Sequence, residues 1–534
     1  MGQAKSDQLQ QQSIFTYDTT TIHALIHLER ANGTPLYRQI SQGLREAILA
    51  GTLAEGTRLP TERALARELC VNRTTIMNAY NDLAGEGLIE GHVGRGTLVK
   101  RAYFRQDDEY DYCEQTTPSW LLGLSANGDS LLGQDERTLS GTMFTEGPQP
   151  QMISLSQSIP SASMLPTERI QQIIAESLDG ARESALGYCP VEGLQMLRRH
   201  IALRMRQRGV LVDVPNILIL SGSTQGLGLI GRFLLSPGDE VVVEVPTYLG
   251  AIQTFRALGA HIIGVPTDNE GMRVDMLEAI LARRQPRFIY TLPTFQNPTG
   301  SVLSAERRRR LLQLAKRYQI PIIEDDAYGE LYFTEQAPQP LKAQDRYGNV
   351  LYLGTYSKIL APGLRVAWLA APEPVIERLA LYKQTFDMNT NALGQWIIQE
   401  MLSTGWLDEH LARARKDYQH KLTLMLEAIE RYWPRETRLY IPEGGMQLWC
   451  RLPGDMRARQ LFREALREQV SFYIGELFHV DGGGQHYIRL SFASVEEQQI
   501  VEGVRRIGVA MKHLRAWNLR SAEHSYPIDR LPVV

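Results

Sequence analysis

The chain has 534 residues, a formal net charge of −3 and a hydrophobic share of 43%. This length exceeds what one ordinary core supports, and we expect about two to four globular domains. No apolar run reaches the about 18 residues of a membrane span and the polar start lacks a signal-peptide core, so we expect no membrane association and a cytoplasmic location. The four cysteines lie far apart without metal-ligand spacing, which argues against a zinc site and a disulfide framework.

Residues 1–33 are polar and form a predicted N-terminal extension, followed by a small helical domain over residues 34–101. Apolar spacing predicts a first helix from Tyr37, a short second helix with Thr61 as its N-cap, and a third helix that Asn72 caps. The next segment, LIEGHVGRGTLV, contains two short β-runs around a glycine-rich tip. Three helices and a hairpin predict a winged helix-turn-helix domain of the α+β class.

The polar side chains on the outer surface of this domain suit DNA. The third helix begins with Arg73, Thr74 and Thr75, in the turn from which a recognition helix contacts base edges in the major groove. Arg58 and Arg63 flank the second helix, where they are placed to contact phosphates. The alternative is that these arginines are ordinary solvated side chains, because nine Lys and Arg against seven Asp and Glu leave the domain a net charge of only +2.

The segment GTRLPTERALARELCVNRTTIMNAYNDLAGEGLIEGHVGRGTLV resembles the GntR family of bacterial regulators. The resemblance includes the LPTER start, the NRTT helix start and the GRGT wing tip. It implies binding to double-stranded operator DNA. The positions that match DNA-contacting positions of this family are Arg58, Arg63, Arg73, Thr74, Thr75 and Gly94.

Residues 102–150 carry nine acidic side chains against two arginines, and Gly, Ser, Asn and Pro are frequent. No helical or strand period persists, which is typical of a flexible linker. We therefore predict an acidic flexible linker. A second hypothesis is that its negative charge covers the DNA-reading surface when DNA is absent.

From residue 151 to 516 strands alternate with helices, which predicts an α/β domain with a largely parallel sheet, and residues 517–534 form a predicted tail. Ligands of such sheets usually bind at the carboxyl ends of the strands. Six short β-branched segments predict strands of this sheet: NILIL, EVVVEV, HIIGV, RFIYTL, IPIIED and VLYLGT.

Polar groups follow several of these strands. After NILIL, the turn with Ser223 and Thr224 exposes backbone N–H groups that suit a phosphate, although a simple glycine turn explains it equally well. Tyr248 follows EVVVEV, where its ring can stack on a flat ligand or belong to the core. Asn297 follows RFIYTL and can donate to a ligand oxygen.

Other candidates lie near two later strands. Asp325 ends IPIIED, and no histidine lies nearby to complete a metal site with its neighbouring carboxylate. The segment TYSKILAPGLR contains Lys358, which can bond to an aldehyde if its surroundings disfavour the ammonium form, although a surface Ser-Lys pair is common. In the same segment Arg365 can bind a phosphate, and Arg489 in YIRLSF can bind a carboxylate.

Tyr328, shortly after Asp325, adds a phenol. Together a phosphate cradle, a stacking ring, an acid, an amide, a phenol and a lysine are what pyridoxal 5′-phosphate (PLP) requires. The motifs SGSTQG, PTYLG, QNPTG, EDDAYGEL, TYSKILAPGLR and YIRLSF resemble those of fold-type I aminotransferases of class I/II, in the same order. The resemblance implies an α/β PLP-dependent fold with a small C-terminal subdomain. It also implies that Lys358 forms a Schiff base with PLP, that Asp325 pairs with the pyridinium nitrogen, and that Arg489 binds a substrate or effector carboxylate. The remaining implied PLP contacts are Ser223, Thr224, Thr355, Arg365 and Tyr188 at the phosphate, Tyr248 on the ring face, and Asn297 and Tyr328 at the ring hydroxyl.

A GntR-type domain joined to an aminotransferase-like body resembles the MocR group of transcription regulators from end to end. The resemblance implies a PLP-dependent regulator that senses an amino compound or PLP itself, and a homodimer, often head-to-tail. The alternatives are an active aminotransferase with an accessory DNA-binding domain, since QNPTG retains the asparagine of working enzymes, and a scaffold with an inert cofactor.

Overall fold

The computed structural model describes residues 35–49, 52–54, 56–85, 88–92, 96–100, 152–177, 185–454 and 456–523, with isolated positions between 22 and 28. Two compact units divide the chain, Met1–Leu121 and Leu122–Val534. The predicted linker and Gly94 lie outside the described residues. None of the helices in the described ranges combines the length and apolar character that a bilayer span requires.

The N-terminal unit has the predicted winged helix-turn-helix fold. Thr61 caps the second helix by accepting the N–H of Ala64 at 3.3 Å, and the side chain of Asn72 accepts the N–H of Thr74 at 3.1 Å at the start of the third. The strands pair antiparallel. The elements are α1 (Leu36–Leu49), α2 (Glu62–Glu68), α3 (Arg73–Gly85), β1 (Ile89–His92) and β2 (Gly96–Val99).

Part of the predicted polar extension belongs to this core. Ile22 and Ile26 are buried in the same apolar cluster as Ile40 and Leu44. They lie four residues apart in hydrogen-bonded turns, which directs both side chains to one side. A Cβ atom on Gly43 of α1 would lie 3.0 Å from the carbonyl oxygen of Leu25, so the turns pack closely against that helix.

The body contains a central mixed sheet and a smaller antiparallel sheet. Its helices are α4 (Thr167–Ser177), α5 (Gln195–Gln207), α6 (Ser223–Leu234), α7 (Leu249–Ala257), α8 (Val274–Leu281), α9 (Ala305–Tyr318), α10 (Glu373–Asp387), α11 (Ala392–Ser403), α12 (Trp406–Tyr432), α13 (Ala458–Arg467) and α14 (Glu497–Glu523). Its strands are β3 (Ile153–Ser154), β4 (Ile217–Leu220), β5 (Glu240–Val245), β6 (His261–Asp268), β7 (Gly271–Met272), β8 (Ile289–Thr291), β9 (Ile322–Asp326), β10 (Val350–Thr355), β11 (Ala367–Ala370), β12 (Arg438–Tyr440), β13 (Gln447–Arg451), β14 (Val470–Ser471), β15 (Tyr473–Ile474) and β16 (Tyr487–Ser491).

The central sheet has the order β4-β11-β10-β9-β8-β5-β6-β7. All six predicted strands belong to it, and β10, β9, β8, β5 and β6 pair in parallel. Strand β11, which the sequence analysis did not include, lies antiparallel between β10 and β4. The register places Leu353 of β10 beside Asp325 of β9, so the segment with Lys358 leaves the sheet next to that carboxylate.

The smaller sheet, of order β12-β13-β16-β15, forms the C-terminal subdomain with α12, α13 and α14. In its central strand β16, Arg489 is directly opposite Trp449 of β13. Helix α14 continues past residue 516 to Glu523. The predicted start of the tail at residue 517 therefore falls within a helix.

Candidate cofactor site and DNA-reading surface

Lys358 lies just after β10, and its Nζ donates a hydrogen bond to the carbonyl oxygen of Ser158 at 2.8 Å. Burial and the charge of Arg489 lower the pKa of Lys358 to about 8, although Asp325 acts in the opposite direction. A lysine with this pKa is partly neutral near physiological pH. The amine can therefore act as a nucleophile toward an aldehyde.

Asp325 at the end of β9 is buried and only partly hydrogen-bonded. Its Oδ2 accepts the hydroxyl of Tyr290 at 2.9 Å, whereas its Oδ1 has no hydrogen-bond partner among the described residues. Burial raises the pKa of Asp325 to about 6, and the bond from Tyr290 opposes that shift. The site thus contains one buried carboxylate oxygen that can accept a further N–H group.

The next residue, Asp326, has no such spare acceptor. Its Oδ2 forms an ion pair with Nη1 of Arg208 at 2.8 Å and accepts a hydrogen bond from the hydroxyl of Tyr352 at 2.9 Å. Its Oδ1 accepts the N–H of Gly329 at 2.9 Å. The contacts of Asp326 are therefore structural, and Asp325 is the carboxylate of this pair that is available to a ligand.

Asn297, Tyr328 and Arg489 form a second buried cluster. Nη1 of Arg489 donates to Oδ1 of Asn297 at 2.9 Å, and Nδ2 of Asn297 lies 3.5 Å from the hydroxyl of Tyr328. Burial lowers the pKa of Arg489, and its guanidinium lies 4.4 Å from the ring centroid of Tyr473. Its Nε is buried without a hydrogen-bond partner in the described ranges, so one donor remains available.

Arg365 lies beside the start of α6, in a corner whose groups suit an anion. Ser223 and Thr224 form the first turn of this helix. A Cβ atom on Gly222, whose φ is +140°, would come within 2.3 Å of Nη2 of Arg365, so the guanidinium touches the backbone there. The hydroxyl of Thr355 donates to that of Ser357 at 3.1 Å. A helix N-terminus beside a guanidinium is suited to a phosphate.

Tyr248 links this corner to the carboxylate. Burial and the charge of Asp325 raise the pKa of Tyr248, and a hydrogen bond with Thr224 opposes them. Tyr188 is different, because its side chain is 85% exposed on the surface of this chain. The fold of one chain therefore brings the predicted cofactor residues together with the exception of Tyr188.

Two residues of the site escaped the sequence analysis. Tyr290 supports Asp325 from the neighbouring strand β8, and its place in RFIYTL next to another strand end was a usable signal. Ser158 accepts the hydrogen bond of Lys358 across 200 residues of sequence. The sequence around Ser158 contains no local signal for that contact.

Most of the residues predicted to contact DNA lie at the surface of the N-terminal unit. Arg58, Arg63 and Arg73 are exposed. Nε and Nη2 of Arg73 contact the same carboxylate oxygen of Glu62 at 3.0 and 2.9 Å. The Thr74 hydroxyl donates to the side chain of Asn72 at 3.2 Å. Thr75 is partly buried in the same turn.

Arg58 also adjoins the wing. The N–H of Leu59 donates to the carbonyl oxygen of Thr97, so the segment before α2 extends the hairpin. A Cβ atom on Gly96 would lie 2.8 Å from Nε of Arg58. Any larger residue at position 96 would displace this arginine.

Comparisons with known proteins cover both units. Residues 150–507 match the aminotransferase class I and II family, and residues 36–99 match the gntR family of bacterial regulatory proteins. The uncharacterized HTH-type transcriptional regulator YisV of Bacillus subtilis is 34% identical over 91% of this chain and 98% of its own length. The 2-aminoadipate transaminase of Thermus thermophilus is 40% identical over 69% of this chain and 92% of its own length.

A solved structure supports the same relationship for the body. LysN, an alpha-aminoadipate aminotransferase from Thermus thermophilus complexed with N-(5′-phosphopyridoxyl)-L-leucine, has a TM-score of 0.69 and 38% identity. The match covers 75% of this chain and all of LysN. The structural likeness thus extends over the whole enzyme and leaves the DNA-binding unit as the additional part.

Proposed function

Because this chain belongs to the class I and II aminotransferases, a family that uses PLP, and carries a GntR-type DNA-binding domain, we propose that it is a PLP-dependent transcription regulator. This combination is the MocR-type architecture. The observation that carries the proposal is that one chain combines a GntR-type DNA-binding domain with a set of residues suited to PLP. This chain aligns with a regulator over nearly the whole length of that regulator. Binding to bacterial operator DNA would place the protein in the cytoplasm.

The residues of the body fit PLP. The unpaired Oδ1 of Asp325 suits the pyridinium N–H, and the corner formed by α6 and Arg365 suits the phosphate. The partly neutral amine of Lys358 suits the aldehyde. When bound, PLP supplies an electron sink for the carbon atom that carries a substrate amine. Tyr248 would cover the ring, and Asn297 and Tyr328 would bind its hydroxyl.

Phosphate contacts complete this assignment. Ser223 and Thr224 would donate from the first turn of α6, and Thr355 would add a hydroxyl from the end of β10. The exposed Tyr188 would reach the phosphate of a second copy of the chain. We therefore include a homodimer, with the two chains arranged head-to-tail, in the proposal.

The effector in this proposal is an amino compound with a carboxylate, or PLP itself. Arg489 would bind the carboxylate, because its buried Nε has no hydrogen-bond partner among the described residues, while its Nη1 donates to Asn297. The amine would then meet the cofactor next to Lys358. Effector binding regulates DNA binding only if it favours one arrangement of the DNA readers over another.

Operator binding would use the reading surface of α2, α3 and the wing. Arg73 must leave Glu62 to contact a base edge, whereas Arg58 and Arg63 are exposed for phosphates. Thr74 and Thr75 would add contacts from the recognition helix. The wing tip at Gly94 would approach the backbone of the DNA.

A second candidate function is amino-acid transamination. The favouring observation is that Asn297 contacts both Arg489 and Tyr328 in a closed, buried set of polar groups. Aminotransferase turnover with an amino acid and an oxo acid distinguishes the candidates. Turnover at an ordinary enzyme's rate, about 1–1000 per second, would favour the enzyme as the primary function.

The regulator is tested by a gel-shift titration of its operator. The arms are the holoprotein, the apoprotein, the Lys358→Ala variant, and the holoprotein with single amino compounds added. We expect operator affinity to differ between holoprotein and apoprotein, and Lys358→Ala to remove the response to amines. Identical affinity in all arms would reject the sensing role, and absence of operator binding in every arm would reject the regulator.

A further inference from the structure

A cavity of about 390 Å³ lies between the carboxyl ends of β5 and β6 and the smaller sheet. None of the proposed cofactor residues lines it. Its wall includes Thr299 and Ser301, which follow Asn297 in the same loop, and Arg438 and Arg451 from β12 and β13. The cavity is therefore separate from the cofactor site but shares a loop with it.

The two arginines form a like-charge pair. Arg438 is directly opposite Arg451 in the antiparallel register of β12 and β13. Both are exposed, and neither forms an ion pair or a side-chain hydrogen bond within the described ranges. Opposed residues of such strands share one face with Cβ atoms about 5 Å apart, where like charges destabilise the sheet. An anion bound between them would remove this repulsion.

The rest of the cavity is compatible with a small organic anion. Trp449 and Tyr487 line it, and their rings stack with centroids 5.3 Å apart and an interplanar angle of 10°. They provide an apolar wall beside the two charges. Asp268 also lines the cavity, but Arg307 neutralises it through two bonds of 2.6 and 2.8 Å.

We propose that this cavity is a second ligand site that binds a small dianion, either a phosphate monoester or a dicarboxylate. Arg438 and Arg451 bind the oxyanions through charge-assisted hydrogen bonds, and the carbon skeleton lies along Trp449 and Tyr487. A bound dianion restrains the loop after Asn297. Through this loop, a bound metabolite other than the amine influences the cofactor pocket.

The test is isothermal titration calorimetry on the full-length holoprotein, in which the phosphate corner of the cofactor site is occupied. Glycerol 3-phosphate and succinate are titrated separately, with sodium chloride at matched ionic strength as the blank. The variant Arg438→Gln/Arg451→Gln removes the pair. A double variant of two exposed arginines outside the cavity, Arg309→Gln/Arg435→Gln, removes the same charge.

We expect one dianion per chain to bind at the arginine pair, apart from succinate that binds at Arg489. The affinity of this event should fall about tenfold or more in the Arg438/Arg451 variant but stay unchanged in the control variant. Binding of one probe alone identifies the chemical source and supports the site. No binding of either probe, or equal weakening in both double variants, overturns the proposal. Should the double variant fail to fold, Arg451→Gln alone must weaken binding for the proposal to stand.

Discussion

The candidate cofactor site of the body and the proposed DNA-reading surface of the N-terminal unit place similar polar groups in opposite surroundings. Asp325 and Arg489 are buried, and each has one side-chain atom without a hydrogen-bond partner among the residues that the structure describes. Arg73 is 56% exposed at its side chain and already pairs with Glu62. A buried polar group that loses its ligand is not solvated by water instead, so substituting it should change ligand affinity strongly. Exposed charges are screened by solvent and salt, so each contributes a small and additive amount to DNA affinity.

The largest effect should follow loss of the amine at the cofactor site. Lys358→Ala should abolish covalent retention of PLP, because no other amine lies after β10 to replace it in the described part of this segment. Borohydride reduction followed by peptide mapping measures this retention. The exposed lysine variant Lys512→Ala should label normally. A label elsewhere than residue 358 would contradict the assignment.

Substitutions of the adjacent carboxylates Asp325 and Asp326 should change different quantities, PLP affinity for the first and the free energy of unfolding for the second. Asp325→Asn should weaken PLP binding about 10- to 100-fold, because a charge-assisted bond of about 1.5–3 kcal/mol is lost. Asp326→Asn should instead destabilise the protein by about 3–5 kcal/mol, because the buried Arg208 loses its charge partner. Equilibrium dialysis and urea unfolding measure the two quantities. Equal effects of both variants on PLP affinity would show that the unpaired oxygen of Asp325 has no special role.

The depressed pKa of Lys358 predicts a pH dependence of cofactor attachment. Only the neutral amine attacks an aldehyde, so the rate of PLP attachment to apoprotein should rise about tenfold between pH 7 and about pH 9 and then level off. Because the folded-state pKa lies below the ordinary value of 10.5, the unfolded chain binds more protons between about pH 8 and 10.5. This group therefore makes apoprotein stability rise with pH in that window. Stopped-flow absorbance measures the attachment, and a rate still rising above pH 9 would contradict the depressed pKa.

At the reading surface the effects should be smaller and depend on salt. Arg73→Ala should weaken operator binding about 10-fold and relax sequence preference, because one base contact of about 1–3 kcal/mol is lost. Fluorescence anisotropy at several salt concentrations measures the affinity. Arg67→Ala, at an exposed position of α2 outside the predicted contacts, is the control. An unchanged affinity for the operator would remove Arg73 from the interface.

The smallest effect on operator affinity should follow from changing Glu62, the ion-pair partner of Arg73. Glu62→Gln frees the guanidinium of Arg73 and removes one negative charge near the phosphates, so operator affinity should rise about two- to fivefold. The exposed Glu68→Gln variant on the same helix removes the same charge without freeing Arg73. An equal gain in both variants would assign the effect to overall charge instead of the ion pair.

The sequence by itself predicted the elements of both units, which the structure contains, and it supplied the candidate site residues. Its apolar periods predicted the three helices and hairpin of the reader and the six strands of the central sheet, because these patterns depend on local burial. Strand ends also indicated Asp325, Asn297 and Lys358, since ligand-binding residues of α/β sheets follow their strands.

Tertiary structure alone decided which polar atoms have hydrogen-bond or ion-pair partners. The family resemblance selected Asp325 from the sequence EDD, but the local chemistry of two adjacent carboxylates does not explain the choice. Packing explains it, because among the described residues Asp326 has three partners whereas one oxygen of Asp325 has none. Packing also brings Ser158 to Lys358 and sets Arg438 opposite Arg451. These contacts join positions far apart in the chain or depend on strand register, and local sequence patterns carry no information about either.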